Sequence, residues 1–399
     1  MEASLINSPS KNDLKRVRID HIGSLVRPAK LQATFARYDR GQLGTEEFRR
    51  AQDEAIREVI AGQEAHGLPV VTDGEFRRHS FQESFSEAVS GFDTPGDRSM
   101  YYEQRQLNLN PFERAEQNFD ETGPAIITRR PAIGRLKLLR NIPLEEFRFA
   151  QTVAKTPVKV TLIGPDRVAQ RFKWETSQAV YKDLDDFVAD VVTIERQMIK
   201  ALVDAGCRYI QIDAPGYTAY VDQVSLNRMR SRGEDPERNL QRSIEADNAL
   251  IEGFADVIFG IHICRGNART IDPKTEKLVP QWHREGHYDA IAERLFHGLE
   301  HHRLLLEYDS ERAGSFEPLR LVPKNKIVVL GLLTTKSSDL EPIEELKRRI
   351  DQASRYLPLD QLALSPQCGF GGIDSKMMSE DEMWRKFDRI VETAEQVWG

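Results

Sequence analysis

The sequence predicts an α/β protein built as a (β/α)8 TIM barrel with an arm inserted after the second strand. Short apolar, β-branched runs alternate with amphipathic helical stretches along most of the 399 residues. Eight such runs occur, the number a closed parallel barrel needs. No Gly-x-Gly-x-x-Gly follows the first run, which removes the best reason to prefer a dinucleotide-binding sheet.

The elements follow in order. Residues 1–16 are a polar, flexible lead without the apolar stretch of a secretory signal, and 17–399 form a single catalytic barrel. The first run, 17–25 (VRIDHIGSL), is the weakest, and the helical stretch 46–66 separates it from the second, 69–73 (PVVTD). Residues 93–156 then break the rhythm. They are polar and rich in Pro, Tyr and Arg, with a strand-like pair around 125–138, and are expected to form a hairpin arm that covers the barrel mouth or makes a homo-oligomer contact. The remaining runs are 158–163, 209–213, 257–263, 303–308, 327–333 and 361–364, with helical stretches at 183–205, 239–255, 287–300 and 341–355. A second insertion, 268–286, is expected to loop over the site.

Composition narrows the function classes. A net charge of -7 argues against a nucleic-acid partner, which selects for a basic excess. No apolar run approaches the ~20 residues of a membrane helix, and the expected location is cytoplasmic. Three cysteines in a chain this long do not make a disulfide framework. Cys207, between a helix and a strand, reads as a buried small residue.

Chemistry concentrates where barrel strands end, the face on which barrels of this type carry their active sites. His262 and Cys264 are two apart in a strand and so point to one side. Glu307 ends the sixth run and Cys368 follows the last, in SPQCGFGG. One imidazole, two thiols and a carboxylate brought together would suit Zn²⁺. Asp309 is a rival carboxylate on spacing, and Glu307 has a competing use as the partner of Arg312. Ser24, Glu75 and Asp213 also fall at strand ends, where capping or pairing with arginine is the alternative reading. His297, His301 and His302 sit in a polar stretch and are expected to be solvated.

With HIGSLVRP (21–28), VVTDGEFRR (70–78), YIQIDAP (209–215), GIHICRGN (260–267), LEYDSERAGSFEPLR (306–320), VVLGLLTTK (328–336) and LSPQCGFGG (364–372), the chain resembles the cobalamin-independent methionine synthase family, specifically its C-terminal catalytic barrel and short single-barrel relatives. The resemblance implies zinc held by His262, Cys264, Glu307 and Cys368. It implies contacts from Ile22, Gly23 and Ser24 to the homocysteine backbone, with Glu75 and Asp213 receiving its ammonium group. No catalytic residue is implied beyond zinc activation of the thiol.

Two departures lie on the methyl-donor side. The family's tryptophan after the third strand is missing from TLIGPDRVAQRF (161–172), and Thr334-Thr335-Lys336 stand where the family has Asp-Ile-His-Ser. Asp166, Arg167, Arg171 and Lys336 are the donor-side candidates, with solvated helix-start arginines as the plainer reading. The function expected is a zinc-dependent methyltransferase converting homocysteine to methionine, its donor a methylfolate or a methylcorrinoid. The alternative is an alkyl-thiol transferase or thioether lyase acting on another thiol or electrophile, as in epoxyalkane:coenzyme M transferases. A zinc-storing barrel without turnover is the non-enzymatic reading.

Overall fold

The computed structural model describes residues 10–81, 83–93, 131–170, 174–231, 233–265, 269–271, 278–280, 284–371 and 378–399. Its strands are β1 (Val89–Phe92), β2 (Ala132–Leu138), β3 (Lys159–Ile163), β4 (Tyr209–Asp213), β5 (Ile258–Ile263), β6 (Arg269–Ile271), β7 (Leu278–Pro280), β8 (Arg303–Glu307), β9 (Ile327–Leu333) and β10 (Leu362–Pro366).

Six of them form one parallel sheet in the order β10-β9-β8-β5-β4-β3. Every residue of β3, β4, β5, β8, β9 and β10 is buried, as expected for parallel strands covered on both faces. The sheet continues at each edge through a single bridge. Ile19 pairs with Leu364 beside β10, and Val71 pairs with Val158 beside β3. The two flanking segments also meet each other: Leu25 N–H donates to the Gly74 carbonyl at 3.2 Å, and Thr72 Oγ1 donates to the Gly23 carbonyl at 2.7 Å. Eight parallel segments thus follow one another around a (β/α)8 barrel.

Helices coat the outside. Leu184–Asp204 begins at an Asp183 cap that accepts from Asp186 N–H, and Glu380–Trp398 begins at a Ser379 capping box with Glu382. Their buried faces include Phe187, Val191 and Leu202 in the first and Met383, Phe387 and Ile390 in the second. Inside the barrel, Ile22, Leu305, Ile327, Val329 and Ala363 pack as a small apolar cluster. Among the described residues no helix is long and apolar enough to cross a membrane.

The arm differs from expectation in detail. β2 pairs antiparallel with β1, a strand just before the expected insertion, and residues 125–130 of the expected strand pair lie outside the described residues. Residues 94–130 lie outside the described residues. Ile142–Val153, expected as insertion, is a helix of the outer layer, its Phe147 and Ala150 buried against the helices Thr45–Ala65 and Leu184–Asp204. The sequence pattern hid this helix because a proline at its second residue and a polar flank read as irregular chain. The second insertion carries the short antiparallel pair β6–β7.

The expectation for His301 and His302 is corrected. His301 is fully buried, and burial pushes it down to about 3. His302 Nδ1 accepts from Phe259 N–H at 3.1 Å. The turn into β8 folds beneath the barrel, so residues that read as polar helix pack against Lys326, whose ammonium donates to the His301 carbonyl at 3.0 Å.

Candidate metal centre

His262 ends inward on β5, and Cys264 follows two residues on, just beyond the strand. Cys368 arrives from the loop after β10. Their ligand atoms lie within 4.8 Å of one another, and the two Sγ atoms are 3.3 Å apart. Cys264 is 6% and His262 3% exposed, so solvent does not screen the cluster.

The loop carrying Cys368 is held closely. Gln367 N–H donates to the Leu333 carbonyl at 2.8 Å, and its side-chain oxygen accepts from Thr335 N–H at 2.6 Å. Phe370 N–H donates to the Ser24 carbonyl at 2.9 Å, and a Cβ on Gly369 would come within 1.9 Å of Ser24 Oγ. Only glycine lets this loop lie on the first barrel segment. The thiol is therefore placed by contacts with two other strand ends, those of β9 and of the first barrel segment.

The groups share protons. Cys264 is pushed well below the ordinary thiol range, chiefly by the hydrogen bond from Cys368 and further by His262. Cys368 is pushed up by that same bond and by burial. Burial disfavours a charged His262, yet Asp213 at 3.3 Å and the Cys264 sulfur outweigh it and raise the imidazole to about 10.

Glu307 reaches the same place but is occupied. Its Oε2 lies 4.0 Å from Cys264 Sγ and accepts from Arg265 N–H at 2.9 Å. Its Oε1 pairs with Arg312 and with Lys336 Nζ at 3.2 Å. Burial would raise its pKa, but Lys336 and Arg312 hold it below the usual carboxylate range. Asp309, the rival carboxylate, is bound to Lys336 at 2.8 Å. Beyond Arg312 a groove of about 560 Å³ opens between the loops bearing His287 and Gly314.

The remaining strand-end residues adjoin this cluster through Asp213 and Ser24. Ile22 is buried, and Gly23 has φ +131°, where a Cβ would meet Thr161 Cγ2 at 2.6 Å. Glu75 has φ +60° directly after Gly74 at +69°, an uncommon backbone for a glutamate. Asp73 Oδ1 accepts from Glu75 N–H at 3.0 Å, and Arg27 donates to the Glu75 carbonyl at 2.9 Å, which together hold that conformation. The Glu75 carboxylate accepts from Thr161 Oγ1 at 2.7 Å and lies 3.4 Å from Arg78. Burial raises its pKa despite Arg78. Asp213 accepts from Gln211 at 2.8 Å and stands beside His262.

On the donor side Lys336 alone is brought against the metal-ligand candidates. Asp166 is buried, with Tyr220 Oη at 3.5 Å, and Arg167 is 1% exposed rather than solvated. Arg171 lies outside the described residues. Sequence reasoning missed Arg78, Thr161, Gln211 and Gln367, which hold the named groups in place. Only Gln211 left a trace, as a polar residue at an inward position of YIQID.

A parallel barrel with an imidazole and two thiols within 4.8 Å of one another at its strand ends has a donor set that could hold a metal ion, and comparison assigns the family. The chain belongs to the cobalamin-independent methionine synthase family. Residues 19–111 match the model of the cobalamin-independent synthase catalytic domain. The chain is 32% identical over 386 residues to the uncharacterized protein YxjH of Bacillus subtilis (strain 168), with 96% of this chain and 94% of the relative covered. It is 24% identical over 350 residues to the methionine synthase of Sulfurisphaera tokodaii, covering 87% and 84%. Among solved structures, the putative vitamin-B12 independent methionine synthase from Listeria monocytogenes superposes with a TM-score of 0.69 at 26% identity, covering 95% of this chain and 97% of that one.

Proposed function

We propose that this chain is a zinc-dependent methyltransferase that methylates the thiol of L-homocysteine to give methionine. The observation that carries the reading is the convergence of His262, Cys264 and Cys368 within 4.8 Å at the strand ends. One nitrogen and two sulfurs are a donor set that suits zinc and leaves room for a further ligand. Glu307 is the fourth protein donor if Arg312 and Lys336 release it. When bound, zinc makes a thiol that is mostly protonated at neutral pH available as thiolate.

The chain's own residues bind and orient. Glu75 and Asp213 offer carboxylates to an ammonium group, and the Ile22–Ser24 backbone offers hydrogen-bonding groups to the rest of the amino acid. Holding the substrate at both ends places its sulfur for attack on the methyl group, a contribution of positioning. Burial of the cluster keeps water away from the nucleophile. A metal taking His262 and Cys368 must displace a proton from each, so zinc affinity falls as pH falls. Competition with a chelator at pH 6 and pH 8 checks this, and equal affinities would contradict it.

The donor is a methylfolate or a methylcorrinoid, and the test decides between them. Zinc-loaded protein is incubated with L-homocysteine and, separately, methylfolate, its polyglutamate and methylcobalamin, and methionine is quantified by mass spectrometry. Methionine from one of them supports the reading and names the donor. No methionine from any, with zinc present, overturns it in favour of another thiol or electrophile.

A further inference from the structure

The barrel interior carries a buried polar column beneath the proposed amino-acid site. Tyr209, Gln211 and Asp213 alternate along β4 and so share its inward face. At the lower end Asp20 Oδ1 pairs with Lys159 Nζ at 2.7 Å, and its Oδ2 accepts from Tyr209 Oη at 2.5 Å and Arg303 Nε at 3.1 Å. All four residues of that cluster are at most 2% exposed. Gln211, fully buried, stands between this cluster and the site.

The orientation of the Gln211 amide is dictated by its partners. Lys159 Nζ can only donate, so the atom 2.9 Å from it must be the Gln211 oxygen. That leaves the NH2 group facing two acceptors, the Ile22 carbonyl at 2.6 Å and Asp213 Oδ1 at 2.8 Å. The flipped amide would put its oxygen against both acceptors and its NH2 against an ammonium. One side chain thus ties the first barrel segment to the end of β4. Those are the two places proposed to hold opposite parts of the amino acid. Asp213 in turn lies 3.3 Å from His262 Nδ1.

We propose that Gln211 is a positioning residue for the amino-acid end of the substrate, setting the Ile22 carbonyl and the Asp213 carboxylate without touching the thiol. The inference rests on the homocysteine reading through Ile22 and Asp213. Its test compares L-homocysteine with propanethiol, which has the thiol and lacks the amino-acid end, by calorimetric titration of the zinc-loaded full chain. Gln211→Met removes both donors at similar volume. Gln211→Glu keeps the shape and the contact with Lys159 but turns an acceptor toward Ile22 and Asp213, so it folds where an apolar replacement fails.

Both variants are expected to weaken L-homocysteine binding about tenfold, the scale of a buried acceptor left unpaired, with propanethiol binding within about twofold of the wild type. Unchanged homocysteine affinity, or equal loss for both thiols, overturns the positioning role and leaves the homocysteine reading standing. Wild-type protein that binds propanethiol as tightly as homocysteine overturns that reading itself, and the inference with it.

Discussion

On the zinc reading proposed above, a thiol pair supplied from two distant strands holds the metal only while both members are present. Cys368→Ser keeps the volume but replaces a soft donor with a poorly ligating hydroxyl. It is expected to reduce zinc content, measured by plasma mass spectrometry, from about one per chain to a small fraction, with methionine formation down at least ~100-fold. A second residue-scale prediction concerns Asp247. Burial, and to a lesser degree Asp166, raises its carboxyl to about 8, while Tyr217 Oη donates to it at 2.6 Å. A carboxyl raised on folding binds its proton more tightly in the native state, so its contribution to stability declines as pH rises from about 4 to about 8. Asp247→Asn keeps an acceptor for Tyr217 and removes the titration. The stability difference between variant and wild type, from urea unfolding, is expected to widen in favour of the variant from pH 5 to pH 8. A constant difference would refute the assignment. At this scale the sequence was informative about His262, Cys264 and Cys368, because inward parity and strand ends are readable. It was silent about Lys159 and Asp20, because polar side chains at strand starts look like solvated residues until the barrel closes around them.

Elements show the same division. The runs at 209–213 and 327–333 coincide with β4 and β9; β9 is an unbroken apolar run, as a wholly buried parallel strand can be, and β4 alternates apolar with inward polar residues. The first two barrel segments pair through one bridge each, and their pattern was correspondingly faint. The turn that ends the first of them is closely constrained. At Gly23 the backbone has φ +131° and Thr161 Cγ2 stands where a Cβ would point. Gly23→Ala is expected to cost about 2–4 kcal/mol in urea unfolding, from backbone strain and overpacking together. Gly41→Ala, at φ +69° with open space around it, serves as the comparison for backbone strain alone and is expected to cost about 1 kcal/mol.

Across the whole molecule, the barrel is held by its outer apolar layer and by a charged cluster at its lower end. Lys159 and Arg303 both serve Asp20, and together they drive its carboxyl well below the usual range against the penalty of burial. Lys159→Met removes one partner of a buried pair and is expected to lower stability by about 3–5 kcal/mol. Replacing Asp20 and Lys159 together by apolar residues is expected to cost less than the single change, which a double-mutant cycle measures.

The two ends of the arm are tied to each other and to the outer layer, where Leu136 N–H donates to Tyr181 Oη at 2.9 Å. The arm's chain departs after β1 and returns before β2, and Asp93 N–H donates to the Pro131 carbonyl at 2.9 Å. Exit and entry are a single backbone hydrogen bond apart. Whatever length of chain runs between them adds a closure entropy that rises only logarithmically, about 0.6 kcal/mol per doubling. For protein engineering those two ends form a splice point of fixed spacing: a guest domain whose own termini lie one backbone hydrogen bond apart matches the Asp93–Pro131 separation.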